Sequence, residues 1–87
     1  MADRFIIAIN VTVEGDVTKM GAIWTGDKFV TVRGKAHIFH DAEEAESKRF
    51  YLAAQYLKFI GKVEILKIEE GSERRYHLRG GEKIETE

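Results

Sequence analysis

Every second residue from 5 to 13 is apolar, with the period of two that is typical of a strand buried on one face. This face carries Phe5, Ile7, Ile9, Val11 and Val13, and the polar residues Asn10 and Thr12 lie on the other face. Two further strands are predicted over residues 17–24 and 29–33, because the segments 14–16 and 25–27 have the Gly and Asp content of tight turns. Successive strands joined by such turns predict an antiparallel meander.

A helix is predicted over residues 42–60, after a short extended piece at 36–39. Asp41 is a favourable N-cap residue, and Gly61 suits the position that follows a last helical turn. The helix would pack through an apolar stripe formed by Ala45, Leu52, Ala53, Tyr56, Leu57 and Ile60.

Residues 62–69 predict a fourth strand whose apolar positions change phase. One face carries Val63 and Ile65, and the other carries Leu66 and Ile68. Either a bulge interrupts this strand or both of its faces are covered. With a fifth strand over 73–79, the order β-β-β-α-β-β predicts an α+β fold: one antiparallel or mixed sheet of four to five strands, with one helix across one face.

The 87 residues correspond to one small domain, which we expect over residues 1–79, followed by an acidic and disordered tail over 80–87. The 14 Lys and Arg residues nearly balance 15 Asp and Glu residues, which argues against a protein that coats DNA or acidic membranes. Without cysteine, disulfides and thiolate chemistry are excluded. The apolar run before Asn10 is too short for a leader or a membrane span, so we expect a cytoplasmic protein.

Catalytic and metal-binding residue groups are sparse. Ser47 and Ser72 do not lie in a nucleophile elbow, and the carboxylates do not fall at apolar positions of the pattern. His37, His40 and Asp41 come nearest to a metal-ligand group, but residues three apart on a strand point to opposite faces. The sequence therefore predicts neither an enzyme nor a bound metal or cofactor.

The chain carries more apolar surface than one helix on one sheet face would bury. In the helix, Tyr51 points away from the apolar stripe, and Phe50 and Phe59 lie at its margins. A second excess, on the sheet face opposite the helix, consists of Ile6, Ala8 and Ile23. Burial of two aromatic side chains is worth roughly 3–6 kcal/mol, so this excess indicates contact with another protein or with a second copy.

Aromatic and arginine side chains are the usual anchors of protein interfaces, so we expect them to make the contacts. The candidate contact residues are Trp24, Phe50, Tyr51, Phe59, Arg74, Arg75 and Arg79. The alternative is a small nucleic-acid-binding domain, in which the sheet face and the strand from Arg74 to Arg79 stack bases and hold phosphates. The five basic and four acidic residues of 61–79 do not favour it.

Residues 36–45, Ala-His-Ile-Phe-His-Asp-Ala-Glu-Glu-Ala, resemble a recurrent pattern, Ala-x-x-Phe-x-(Asp/Ser)-x-Glu-Glu-Ala. With the Trp-bearing meander before it and the Val/Ile strand after it, the segment from about 20 to 69 resembles small β-β-α-β accessory proteins of phages and prophages. This resemblance implies a small accessory protein, of a class in which host-takeover and anti-defence inhibitors that bind a host protein or nucleoprotein are frequent. Together with the apolar excess and the sparse catalytic residues, we expect a non-enzymatic interaction protein that occludes such a host surface, with a homodimer as one form.

Overall fold

The computed structural model describes residues 3–31, 35–55, 62–68, 75–78 and 84. The elements are β1 (Arg4–Ile9), β2 (Thr12–Glu14), β3 (Val17–Met20), β4 (Ala22–Trp24), β5 (Phe29–Val30), α1 (Ala42–Gln55), β6 (Val63–Ile68) and β7 (Arg75–Leu78). Within these residues the strands form a four-stranded antiparallel sheet, β5-β4-β1-β6, and a three-stranded sheet, β2-β3-β7, in which β3 and β7 are parallel. The predicted α+β class is confirmed, but two sheets replace the predicted single sheet.

The first two predicted strands form one long hairpin that bends from one sheet to the other. The β1–β4 pairs and the β2–β3 pairs share a single register, so no residue is inserted at the bend. There Asn10 has φ 54°, a left-handed conformation that Asn tolerates better than most residues. Across from it, the Gly21 N–H donates to the Ile9 carbonyl at 2.7 Å. The bend carries β2 and β3 away from the four-stranded sheet and into the second one.

The four-stranded sheet lies between α1 and the three-stranded sheet, because its strands alternate apolar side chains between two cores. The helix-side core consists of Ile7, Ile9, Ala22, Trp24, Phe39, Ala45, Leu52 and Val63. The sheet-side core consists of Ile6, Ala8, Met20, Ile23, Ala36, Ile68, Tyr76, Leu78 and Ile84. The expected apolar excess at Ile6, Ala8 and Ile23 is therefore corrected: each is 0% exposed, since β3 and β7 supply side chains that cover it.

The phase change in β6 has the same explanation. β6 pairs with β1 along its whole length in one register, without a bulge. Val63 and Ile65 pack with the helix-side core, whereas Leu66 and Ile68 pack with the sheet-side core. Of the two alternatives left open by the sequence, coverage of both faces is the correct one.

The helix begins where the sequence predicts. The Asp41 Oδ1 accepts a 2.9 Å hydrogen bond from the Glu43 N–H, which is the contact of an N-cap residue. The helix is described as far as Gln55, and the predicted remainder, 56–61, lies outside the described residues.

The core extends beyond residue 79, where the sequence placed the end of the domain. Ile84 is 4% exposed, and its N–H donates to the Tyr76 carbonyl at 3.1 Å on β7. It therefore belongs to the sheet-side core, although it falls in the segment expected to be a disordered tail. The other residues of 80–87 lie outside the described residues.

Candidate functional site

The outward side of α1 carries two large aromatic side chains in solvent. Phe50 is 70% exposed and Tyr51 is 58% exposed. On the opposite side, Ala45 and Leu52 are buried in the helix-side core. Within the described residues, the helix therefore meets the sheet through small and aliphatic side chains while its two aromatic rings face outward.

Small residues separate the two rings. At 100° per residue, Ser47 and Ala54 lie between Phe50 and Tyr51 on the helix surface, three or four positions from each. Both small residues are exposed. The two rings point away from each other, and the small side chains between them leave open space at the helix surface. Below, the aromatic surface means the four residues Ser47, Phe50, Tyr51 and Ala54.

An open groove of about 420 Å³ adjoins the aromatic surface. It is lined by Phe39, Glu44, Ser47, Lys48 and Tyr51. Phe39 is fixed in the fold, because it exchanges two 2.8 Å backbone hydrogen bonds with Phe5 of β1. Tyr51 thus stands between a groove with a buried aromatic wall and the exposed space over Ala54.

The Lys48 ammonium lies between two aromatic rings. Its Nζ is 5.5 Å from the ring centroid of Tyr51 and 5.6 Å from that of Trp24. Both distances fall within the range of cation–π attraction, which favours one placement of the Tyr51 ring. A ring that is already held in place loses less conformational entropy when a partner binds it.

Trp24 lies in the core, although the sequence placed it among the candidate contacts. It is 6% exposed, and its ring meets Phe29 edge-on at a centroid distance of 5.2 Å. Its Nε1 is buried and has no hydrogen-bond partner within the described residues. Trp24 therefore presents almost no surface to a partner, and its ring contacts the Lys48 ammonium at the edge of the site.

Arg75 is exposed but lies on β7, in the sheet on the other side of the molecule from α1. Its Nη2 is 3.2 Å from the Asp16 Oδ2, and its backbone N–H donates to the Asp16 carbonyl at 2.8 Å. Arg75 therefore ties β7 to the β2–β3 turn. The remaining candidates, Phe59, Arg74 and Arg79, lie outside the described residues. Of the seven predicted contacts, Phe50 and Tyr51 lie exposed on the outward side of α1.

The described part of the three-stranded sheet has a mixed charge rather than a positive one. Lys19 pairs with Glu14 at 3.1 Å, as Arg75 does with Asp16. The four-stranded sheet has cores on both faces, so its flat surface is not open to bases. These observations give no support to the alternative of nucleic-acid binding through a sheet face.

The described contacts of His37 and Asp41 are structural ones. The His37 ring meets the Phe39 ring edge-on at 4.6 Å, and Asp41 is the helix N-cap. In the described ranges, no three His, Asp or Glu side chains are grouped so that they could hold a metal ion.

One ion pair on α1 shifts the acidity of both members. The Arg49 Nε donates to the Glu46 Oε1 at 3.0 Å, one helical turn away. This hydrogen bond lowers the pKa of the Glu46 carboxyl and raises the pKa of the Arg49 guanidinium. Arg49 thereby neutralises Glu46 beside the aromatic surface.

Sequence reasoning identified the two exposed rings but missed the groove and Lys48. The spacing of Lys48 and Tyr51, three residues apart on a helix, was the available signal for their contact. The buried wall formed by Phe39 had no such signal, since it depends on pairing with Phe5.

This chain matches no known protein family, no curated protein and no solved structure. The helix of the described part, α1, is neither long enough nor apolar enough to cross a membrane. The function is therefore inferred from the surface of α1.

Proposed function

We propose that this protein is a non-enzymatic interaction module that binds another protein through the aromatic surface of α1. The main observation behind this proposal is that Phe50 and Tyr51 are 70% and 58% exposed. Both lie on the outward side of a helix whose other side already covers the sheet. Aromatic side chains are prominent among interface anchors because a partner gains much buried area from each ring. Transfer of two such rings out of water contributes roughly 3–6 kcal/mol at full burial.

The interface extends beyond the two rings. The outward face of a 14-residue helix is about 20 Å long and about 10 Å wide. The area of this face is far below the roughly 800 Å² that each partner buries in a stable complex. The groove beside Tyr51 is continuous with this face and has an apolar wall at Phe39. We therefore include the groove residues Glu44 and Lys48 in the proposed contact area.

We propose that the partner is a host protein or nucleoprotein whose surface is occluded by binding. This part of the proposal rests on the resemblance of residues 36–45 to small phage and prophage accessory proteins. In that setting the protein acts in the cytoplasm of the host cell as an inhibitor, for example of a defence system.

The test is capture of a partner by tagged protein from a host lysate, with cross-linking and mass spectrometry. The variant Phe50→Ser with Tyr51→Ser removes both rings at little cost in helix propensity, since Ser, Phe and Tyr are similar in that respect. Val13→Ser is the matched control, because Val13 is 59% exposed but lies on β2, away from α1. We expect wild type and the control to retain the same partner and the double variant to lose it at least tenfold.

Two other outcomes would contradict this assignment. Retention of the same partner by the double variant would place the interface elsewhere, and cooperative unfolding at much lower temperature would show that the rings belong to the core. Light scattering tests self-association as the competing occupant of the surface. Binding to an oligonucleotide that collapses between 50 and 200 mM salt would favour the nucleic-acid alternative.

A further inference from the structure

We propose that the occupant of the aromatic surface is a positively charged helical segment of the partner, which inserts an apolar side chain between Phe50 and Tyr51. This inference rests on the proposed function and specifies the chemistry of the partner at that same surface. It is carried by the charges that accompany the two rings on the outward side of α1.

Apart from its internal ion pair, this helix carries an excess of negative charge. Residues 41–55 contain four carboxylates and two cations. Arg49 is paired with Glu46, and Lys48 lies against the rings of Tyr51 and Trp24. Glu43 and Glu44 are exposed, and within the described residues neither has a cationic side chain within 4 Å.

These two carboxylates share the outward side of the helix with the rings. Glu43 precedes Phe50 by seven residues, as Glu44 precedes Tyr51, so each pair lies along one line two turns apart. The distance along the helix axis is about 10 Å. An amphipathic helix that places an apolar residue between the rings, with Lys or Arg two turns away along it, would meet both features at once.

A negatively charged segment fits less well. Its carboxylates would be attracted to Lys48, but they would meet Glu44 in the same groove and Glu43 next to it. Glu43 and Glu44 also favour the helix start through the helix dipole, which explains their presence without any partner. The experiment must therefore separate a role in binding from a role in helix stability.

The probes are two fluorescein-labelled 15-residue amphipathic peptides with the same Leu pattern, one with Lys and one with Glu at the polar positions. Binding to the 87-residue chain is measured by fluorescence anisotropy at 50 and 200 mM salt. We expect the Lys peptide to bind at least tenfold more tightly than the Glu peptide at 50 mM salt, and this ratio to shrink at 200 mM salt because exposed charges are screened. Glu43→Lys with Glu44→Lys should invert the preference, and Phe50→Ser with Tyr51→Ser should abolish binding of both peptides.

The fluorescence of Trp24, the single tryptophan, reports in each variant whether the fold is retained. Charge variants that keep the fold and still prefer the Lys peptide would overturn the inference, and so would equal binding of the two peptides or binding that survives loss of the rings. If neither peptide binds, the inference also fails. In that case, loss of the lysate partner in the ring variant would show that the proposed function stands without it, whereas retention would remove both.

Discussion

The Nζ of Lys48 lies 5.5 Å from the ring centroid of Tyr51, within the range in which a cation is attracted to the face of an aromatic ring. We predict that Lys48→Met, which keeps an aliphatic side chain but removes the charge, weakens binding of an uncharged amphipathic peptide with the same Leu pattern about two- to fivefold, in line with a cation–π term of about 0.5–1 kcal/mol. The probe is uncharged because Lys48 also repels the cationic segment proposed above, and that repulsion would mask the cation–π term. The thermal midpoint should change little. Binding equal to wild type would show that Lys48 does not position Tyr51.

The rings of the aromatic surface should contribute little to stability. We predict that Phe50→Ala changes the free energy of unfolding by less than about 0.5 kcal/mol, whereas Leu52→Ala costs about 2–5 kcal/mol because Leu52 is 1% exposed. Urea denaturation followed by the fluorescence of Trp24 measures both. Similar losses in the two variants would mean that Phe50 is packed against the protein itself.

The second sheet should depend on residue 84. We predict that Ile84→Ala costs about 2 kcal/mol, since it empties a position that is 4% exposed and packed in the sheet-side core. The matched change Val13→Ala, at an exposed position of the same sheet, should cost less than half of that. If the denaturation curve of Ile84→Ala overlays that of wild type, residue 84 does not belong to the core and the predicted disordered tail is correct.

The hairpin bend should depend on the backbone conformation at Asn10. Because Asn10 has φ 54°, we predict that Asn10→Ala is less stable than Asn10→Gly by about 1 kcal/mol. Both variants lose the Asn side chain, so their difference isolates the backbone term. Equal stability in urea would argue that the bend does not require a left-handed residue.

The Glu46–Arg49 pair should give the helix a small dependence on pH. The hydrogen bond from Arg49 lowers the pKa of Glu46 in the folded protein, so its contribution is present above the unfolded pKa and is lost as the pH falls through the folded one. We predict that Glu46→Gln is less stable than wild type at pH 7 and equal to it at an acidic pH below both pKa values, as measured by thermal melts at low salt. A difference that is the same at both pH values would assign the effect to something other than this charge pair.

Local features of the fold were predictable because they depend on neighbouring residues. The N-cap at Asp41 and the Gly15 and Gly26 turns were read from residue types whose backbone preferences are strong. The second sheet was not predictable in the same way, since a period of two looks the same whether a hairpin stays in one sheet or bends at Asn10 into another. The apolar residues Ile6 and Ile23 signalled a second covered face, but they could not indicate that the cover comes from the same chain.

The candidate site likewise has features that were predictable from neighbouring residues and features that were not. Exposure of Tyr51 followed from its angle to the buried stripe of a helix, which is a local property. The burial of Trp24 and the groove wall at Phe39 depend on contacts between distant segments, such as the Phe5–Phe39 bridge. The spacing of residues along the chain does not predict those contacts.

Chemical modification of Tyr51 in the presence and absence of the captured partner tests the central claim most directly. Nitration by tetranitromethane, located by peptide mass spectrometry, has an internal control in Tyr76, which is 8% exposed. The account predicts that Tyr51 is nitrated readily in the free protein and at least fivefold less in the complex, while Tyr76 is nitrated weakly in both. Equal nitration of Tyr51 in the free and bound protein would contradict the account.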